Sequence, residues 1–356
     1  MRAGRRRFGL ATIAGAALSS GGRRRLGRAA MAGAAWLAGT RNSTATSSRS
    51  TRFTFIGDTS YDAAEAADLR RLLPIATADV DFTVHVGDIK SGLESCEDAV
   101  LEHHLYTLAS TGRPMVYVPG DNEWTDCHRL LAGSYDPLER LSRLRELAYR
   151  PHRFLDPAGL ERQTMAGVAW PEHQRWRSGP ALFTTLNVPG SDDALRTRIA
   201  EIEHRRRATA VTAWLIESAK RARNERLPVL VVAIHADTAP GSLHARDLDA
   251  DVIDLDNPYG WFRALLWQVV CAFPGQVLLL NGDLHVVWHD RPWRNGQFAG
   301  NAADRFAVPL ATVQSRMAAF QRVQCFGSPS SKYYLTITIA ATPDQPAVID
   351  VRTHSI

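Results

Sequence analysis

Five short apolar runs in this 356-residue chain each end in residues that can bind a metal ion or carry a proton. "RFTFIGDTSY" ends at Asp58, "DFTVHVGDIKSG" at Asp88, and "PMVYVPGDNEW" at Asp121 and Asn122. "LPVLVVAIHAD" ends at His235, and "GQVLLLNGDLH" at Asp283 and His285. Singly these signals are weak, because Gly-Asp is a common turn and a lone His is more often packed than coordinating. Gathered at one place, four Asp would repel one another strongly, and carboxylates sharing a cleft need compensation. Divalent cations supply it, and carboxylate with imidazole is a ligand set for Zn, Mn or Fe. Two ions about 3.5–4 Å apart would be bridged by one carboxylate and a hydroxide.

The elements that must position these residues follow from the same runs. Each run is short, rich in β-branched residues and nearly continuous, as in a strand buried on both faces. Helical patterns lie between them, over residues 62–74, 97–111, 136–150, 192–224 and 260–273. Such alternation predicts an α/β fold with a largely parallel sheet, whose ligands sit outside the carboxyl ends of the strands. Beyond residue 304, "RFAVPLATV", "YYLTITIAA" and "PAVIDVR" read as strands that complete a second sheet. No internal repeat or linker interrupts residues 52–356, which are read as one domain. His103 and His104 are placed on a helix face, and Trp214, Trp261 and Trp267 in the core. The run "HRRRAT" at 204–209 reads as a solvated helix face, with one Arg reaching a phosphate as the functional alternative.

The formal charge of +5 misleads. Residues 1–51 hold ten Arg and no acidic residue, so taking ten from +5 leaves −5 for the remainder. The basicity belongs to the leader, and no nucleic-acid partner follows from it. Within the leader, "GRRRFGLATIAGAALSS" has Arg5 and Arg6, then Phe8 and Leu10, the pattern of a twin-arginine export signal. A second block, "GRRRLGRAAMAGAAWLAG", repeats the basic-then-apolar order, and either block can be the signal. Neither apolar run reaches the roughly 20 residues that span a bilayer. "TRNSTATSSRST" reads as a linker around a cleavage region. Export to the periplasm or beyond is the expectation, and a basic tail on an intracellular protein is the alternative. Export permits disulfides. Cys96 and Cys127 lie on loops leaving strands at the same end and are the favoured pair, with Cys271–Cys325 as a second. Four free thiols would fit an intracellular protein. The sequence carries no signal of oligomeric state.

The order Asp58, "GD" at Asp88, "PGDNE", His235 and "GDLH" resembles the calcineurin-like metallophosphoesterases, which include the purple acid phosphatases. The family pattern is Asp-x-His, Gly-Asp, Gly-Asn-His-Asp/Glu, His and Gly-His-x-His. The resemblance covers residues 52–290 as spaced motifs and looks nearest to a bacterial branch. It implies a four-layer α-β-β-α sandwich of two mixed sheets with helices outside. It implies one metal held by Asp58, Asp88, His285 and Tyr61, and a second held by Asp88, Asp121, His235 and Asp283, with Asp88 as the bridge. Asn122 falls on the family's catalytic His and would donate a hydrogen bond to the phosphate. A one-residue shift would make Asn122 the ligand instead. An amide does not titrate, so the leaving group's proton would come from His85, His128 or Glu123, or the group would depart unprotonated. Lys90 is either a phosphate contact or a solvated loop residue. Ser60 stands where the family often has His, Tyr61 comes from the first motif rather than the second, and Asp283 replaces an imidazole. More carboxylates and fewer imidazoles favour Mn or Fe over Zn. The implied activity is metal-dependent hydrolysis of a phosphate ester, with monoester, diester and pyrophosphate not distinguished. A catalytically impaired relative that binds a ligand or partner is the alternative.

Overall fold

The five apolar runs are strands, and their side chains are buried on both faces. In the computed structural model, which describes residues 49–195, 198–238, 258–291, 309–342 and 345–356, they fall into two sheets. β1 (Arg49–Ile56), β2 (Phe82–His85) and β3 (Met115–Tyr117) lie parallel in the first sheet. The second sheet runs in the order β4 (Glu161–Met165), β5 (Val168–Ser178), β6 (Ala181–Thr185), β7 (Val229–Ala233), β8 (Gln276–Asn281), then β10 (Phe320–Gln324) and, at the edge, β9 (Trp288–Asp290). β6, β7, β8 and β10 are mutually parallel, and β4, β5 and β9 are antiparallel additions.

The two sheets face each other across an apolar layer. Phe53, Phe55, Val84 and Val116 from the first meet Phe183, Val231, Leu278 and Val323 from the second. Phe82 and Phe183 meet edge to face with centroids 5.0 Å apart, the arrangement the ring quadrupoles favour. Helices α1 (Ala63–Ala76), α2 (Asp98–Ala109) and α3 (Pro137–Ala148) cover the outer face of the first sheet through Leu69, Leu105 and Leu144. α5 (Arg198–Asn224), α6 (Gly260–Ala272) and α7 (Leu310–Ala318) cover the second through Leu215, Trp267 and Met317; the single irregular turn α4 (Gly190–Asp193) precedes them. The result is an α/β sandwich of four layers with two mixed sheets inside, the architecture the resemblance implied. α1 and α3 start where the sequence supplies caps: Asp62 accepts from the Glu65 amide, and Asp136 accepts from Leu138 and Glu139 ahead of Pro137.

Four sequence expectations are corrected. "RFAVPLATV" is not a strand where it is described: Pro309 precedes a helix, and Val313 and Met317, four apart, bury on one face. Its residues 305–308 lie outside the described residues. The two final strands, β11 (Tyr333–Thr342) and β12 (Gln345–Ser355), join the first sheet, antiparallel beside β1, rather than completing a second. The first strand begins inside the expected linker, with Arg49 paired to Ala341. Cys271 and Cys325 are free. Cys325 faces the inter-sheet layer and Cys271 packs on the helix side of the second sheet, so the sheet itself separates them.

The favoured pair is a disulfide. Cys96 and Cys127 have Cα atoms 5.7 Å apart and are separated by 31 residues. In the chain-entropy account, closing a loop of that size stabilises by about 3–4 kcal/mol. The bond ties the loop after β2 to the loop after β3. No helix among the described residues is long and apolar enough to cross a membrane. Residues 1–48 of the expected leader and linker lie outside the described residues.

Candidate metal centre

The carboxyl ends of β1, β2, β3, β7 and β8 converge, and their polar residues form two groups with one member in common. Asp58, Asp88 and His285 make the first; Asp88, Asp121 and His235 make the second. Within each group the potential ligand atoms lie within 4.8 Å of one another. The Tyr61 hydroxyl donates to Asp88 Oδ2 at 2.6 Å and stands 3.2 Å from His285 Nε2, which places it beside the first group. Asp283 flanks the second: its Oδ1 is 4.0 Å from His235 Nε2, and its backbone N–H donates to Asp58 at 3.0 Å.

Hydrogen bonds fix both imidazoles. His235 Nδ1 is 2.6 Å from the Val86 carbonyl oxygen, and His285 Nδ1 is 2.9 Å from that of Ser328. A carbonyl only accepts, so each Nδ1 carries a hydrogen and each Nε2 is turned toward the carboxylates. This is how metal-ligating histidines are usually held. His235 Nε2 lies 2.7 Å from Asp121 Oδ1 and 3.5 Å from Asp88 Oδ1.

Backbone strain concentrates here. Asp58, Asp88, Asp283 and His285 have φ of 51°, 54°, 79° and 59°. Left-handed backbone costs roughly 1–2 kcal/mol for an L-residue, less for Asp or Asn. Strain of this kind is retained where the surroundings over-determine it, and it clusters at functional sites. Close packing also demands glycine: a Cβ on Gly120 would sit 2.1 Å from Asp88 Oδ1, and one on Gly282 2.3 Å from Asp58 Oδ2.

The electrostatics are those of a site short of positive charge. Burial, then Asp121, raises the Asp88 pKa well above the carboxylate range. Burial also raises Asp58, and burial followed by Asp121 pushes Asp283 up to about 7. Burial would lower His235, but Asp88 and Asp121 lift it well above its ordinary value. Raised carboxylates are what crowding without a compensating cation produces. With only O and N donors, preset Nε2 atoms and a shared carboxylate, the residues fit a pair of divalent ions.

The remaining candidates fall differently. The Asn122 side-chain nitrogen faces Asp88 Oδ2 at 2.5 Å, Tyr61 Oη at 3.0 Å and the Lys90 carbonyl at 3.1 Å. The Lys90 carbonyl can only accept, so the nitrogen side of the amide faces it and Asp88, and the amide is directed at Asp88 rather than into open space. The Lys90 ammonium is buried and donates to the carbonyls of Ser91 and Glu94 in its own loop, which corrects the reading of a solvated loop residue. His85 is fully buried between Thr59 Oγ1 and the Gly87 N–H, and burial lowers its pKa to about 3. It is a neutral packing imidazole, not an acid at neutral pH. Glu123 is buried and accepts from the Ile89 N–H at 2.6 Å. His128 is exposed on the turn that follows, with Nδ1 on the Thr125 carbonyl.

Sequence reasoning missed two features. Ser191 Oγ lies 2.7 Å from Asp121 Oδ2 and 2.9 Å from Asp126 Oδ1. Nothing in "GSDD" marks it, since the segment reads as the start of a helix. The run "HRRRAT" is not uniformly solvated: Arg207 is fully buried and pairs with Asp193 at 2.6 Å. His103 is exposed and His104 buried against Glu94, while Trp214 and Trp267 are core residues and Trp261 packs against that core at its edge.

No protein-family model matches the chain, and no curated protein matches its sequence. Among solved structures it is similar to a purple acid phosphatase, PPD1, from yellow lupin (Lupinus luteus) seeds, with TM-score 0.45 and 11% identity over 86% of this chain and 52% of that one. The chain therefore spans about half the length of the lupin protein. It is also similar to GAP50, the anchor in the inner membrane complex of Plasmodium (TM-score 0.45, 11% identity, 86% and 89% covered). A third is the Haemophilus influenzae NAD nucleotidase NadN (TM-score 0.40, 10% identity, 87% and 50% covered).

Proposed function

We propose that this chain is a metal-dependent hydrolase of phosphate esters, exported from the cytoplasm, with Asp88 as the residue common to two ion positions. The sharing of Asp88 between two ligand groups carries the reading. Asp58, His285 and Tyr61 would complete one position, and Asp121, His235 and Asp283 the other. Bound there, two divalent cations would supply Lewis acidity and an activated water. The chain's own residues do the positioning. The Val86 and Ser328 carbonyls aim the imidazoles. Asn122 holds Asp88 through its side-chain amide and through its backbone N–H, 3.0 Å from Oδ1. The carboxylate-rich set favours Mn or Fe over Zn.

Asn122 cannot supply a proton and His85 is locked neutral, so esters whose leaving group departs without a proton are the first substrates to test. Hydrolysis of 4-nitrophenyl phosphate by protein loaded with two ions per chain tests this, elemental analysis giving the count. The committed amide of Asn122 favours a second reading, a binding module without turnover. Two bound ions with no hydrolysis across mono-, di- and pyrophosphate esters would decide for it.

The ligand titrations give a direction for metal uptake. Asp283, near 7 because of burial and Asp121, and His235, raised by Asp88, hold protons that an ion must displace. Ion affinity should therefore rise as pH climbs through about 7 and fall below it, with at least one proton released per chain at neutral pH. Calorimetry in buffers of different ionisation enthalpy reads that release, and an affinity flat from pH 6 to 8 would contradict it.

The export reading rests on the twin-arginine pattern of the leader and is compatible with the disulfide. Replacing Arg5 and Arg6 by Lys, and separately Arg23 and Arg24, should retain the protein in the cytoplasm for one pair only. If neither pair matters, as judged by fractionation, the leader is not this signal.

A further inference from the structure

Ser191, Asp192, Asp193 and Ala194 have φ of 51°, 56°, 54° and 63°. Four consecutive residues, none of them glycine, stand in the left-handed region, which such residues normally visit singly. An arrangement so unfavourable needs anchors, and the structure provides them at Asp193. Its fully buried carboxylate receives Arg207 at 2.6 Å, His204 Nε2 at 2.7 Å and Trp261 Nε1 at 2.8 Å. Its carbonyl receives a second Arg207 nitrogen at 3.0 Å, and its N–H reaches the Tyr259 hydroxyl at 3.2 Å. The Arg207 guanidinium in turn lies over the Trp124 ring, in the loop that carries Asp121 and Asn122. At the other end of the turn, Ser191 Oγ sits between Asp121 Oδ2 at 2.7 Å and Asp126 Oδ1 at 2.9 Å; its one proton goes to the nearer oxygen, on Asp121, whose Oδ1 is left to face His235 Nε2. Gly190 permits the approach, since a Cβ there would lie 2.7 Å from both Asp121 Oδ1 and Asp283 Oδ1.

We propose that the left-handed turn exists to hold the Ser191 hydroxyl on the outer oxygen of Asp121, making Ser191 a positioning residue for an ion at the Asp88–Asp121–His235 group. The inference rests on reading that group as an ion position. A carboxylate with one oxygen fixed by a hydroxyl offers the other in a single orientation. Removal of such an outer partner typically lowers metal affinity about 10–100-fold.

Conformational strain and hydroxyl chemistry make opposite demands on position 191, and the test uses that. Ser191→Gly deletes the hydroxyl but suits positive φ. Its metal-free form should melt at the wild-type temperature or higher, while affinity for one of two Mn ions falls about 10–100-fold and the other stays unchanged. Ser191→Thr keeps the hydroxyl on a β-branched residue that resists this backbone. It should melt lower yet bind both Mn ions within a few-fold of wild type. Melting temperature of the metal-free proteins and Mn titration by calorimetry give the two readouts. Unchanged Mn affinity in Ser191→Gly overturns the proposal, as does affinity that simply tracks stability across the variants. A wild-type protein that binds no ion overturns the site reading itself, and the proposal with it.

Discussion

Asp88→Asn should have no measurable turnover and should lose at least one ion per chain. The substitution keeps shape and tolerates the left-handed φ of 54° at this position, so the fold is expected to survive. What changes is the chemistry at the point where the two ligand groups meet. The carboxylate turns Oδ1 toward His235 at 3.5 Å and Oδ2 toward Tyr61 at 2.6 Å, one oxygen to each side. An amide offers one oxygen, no charge, and an N–H₂ that would point at one of the two positions. Elemental analysis beside turnover of a chromogenic ester makes the measurement, with circular dichroism as the fold control. Full activity with two ions bound would remove Asp88 from the centre.

Asp121→Ala and Asn122→Ala should fail in different ways. Asp121 supplies a charged oxygen 2.7 Å from His235 Nε2, so its loss should empty the second position and take turnover with it, and excess metal should restore part of the rate. Asn122 turns its side-chain nitrogen, not its oxygen, toward Asp88, so its amide is read as steadying that carboxylate. Asn122→Ala should keep both ions at saturating metal and lose about 10–100-fold in turnover through a misplaced bridge. Had it donated to the phosphoryl oxygens in the transition state, the loss would be nearer 10²–10³-fold. If Asn122 is instead the ligand, the two phenotypes exchange, and metal stoichiometry separates the cases. Two normal proteins would reduce "GDNEW" to a turn.

The strand-end residues were legible because a buried parallel strand writes itself as a continuous apolar run, and the first polar residues after it mark its carboxyl tip. The antiparallel strands β4 and β5 were not, although β11 and β12 were read as strands. β5, "VAWPEHQRWRS", reads as polar, yet Glu172, His173, Gln174 and Arg175 are all buried. Glu172 is held by Arg145 and Gln174 reaches the Tyr117 carbonyl, contacts supplied by distant parts of the chain. Pro171 also disfavours a strand; it is accommodated where the pairing with β4 skips from Trp170 to Gln174. Arg207 was misread for the same reason, since a charged residue on a helix looks solvated until its buried partner is known. Lys90 shows the converse limit: its position two residues past Asp88 was visible, but not that its ammonium would be buried against two carbonyls of its own loop.

The left-handed backbone at Asp58, Asp88 and Asp283 bears on how such a site can drift over evolutionary time. Conformations of this kind admit Gly, Asn and Asp and resist most other residues, whatever the chemistry at the side chain. A descendant that no longer needed the site would still be filtered toward small polar residues at these three places. Their identity thus records loop shape as much as function. Asp121 and His235 carry no such backbone constraint. Burial and their hydrogen bonds still restrict these two positions, but loop shape does not, so retention there in related sequences would speak for the side chain rather than the backbone.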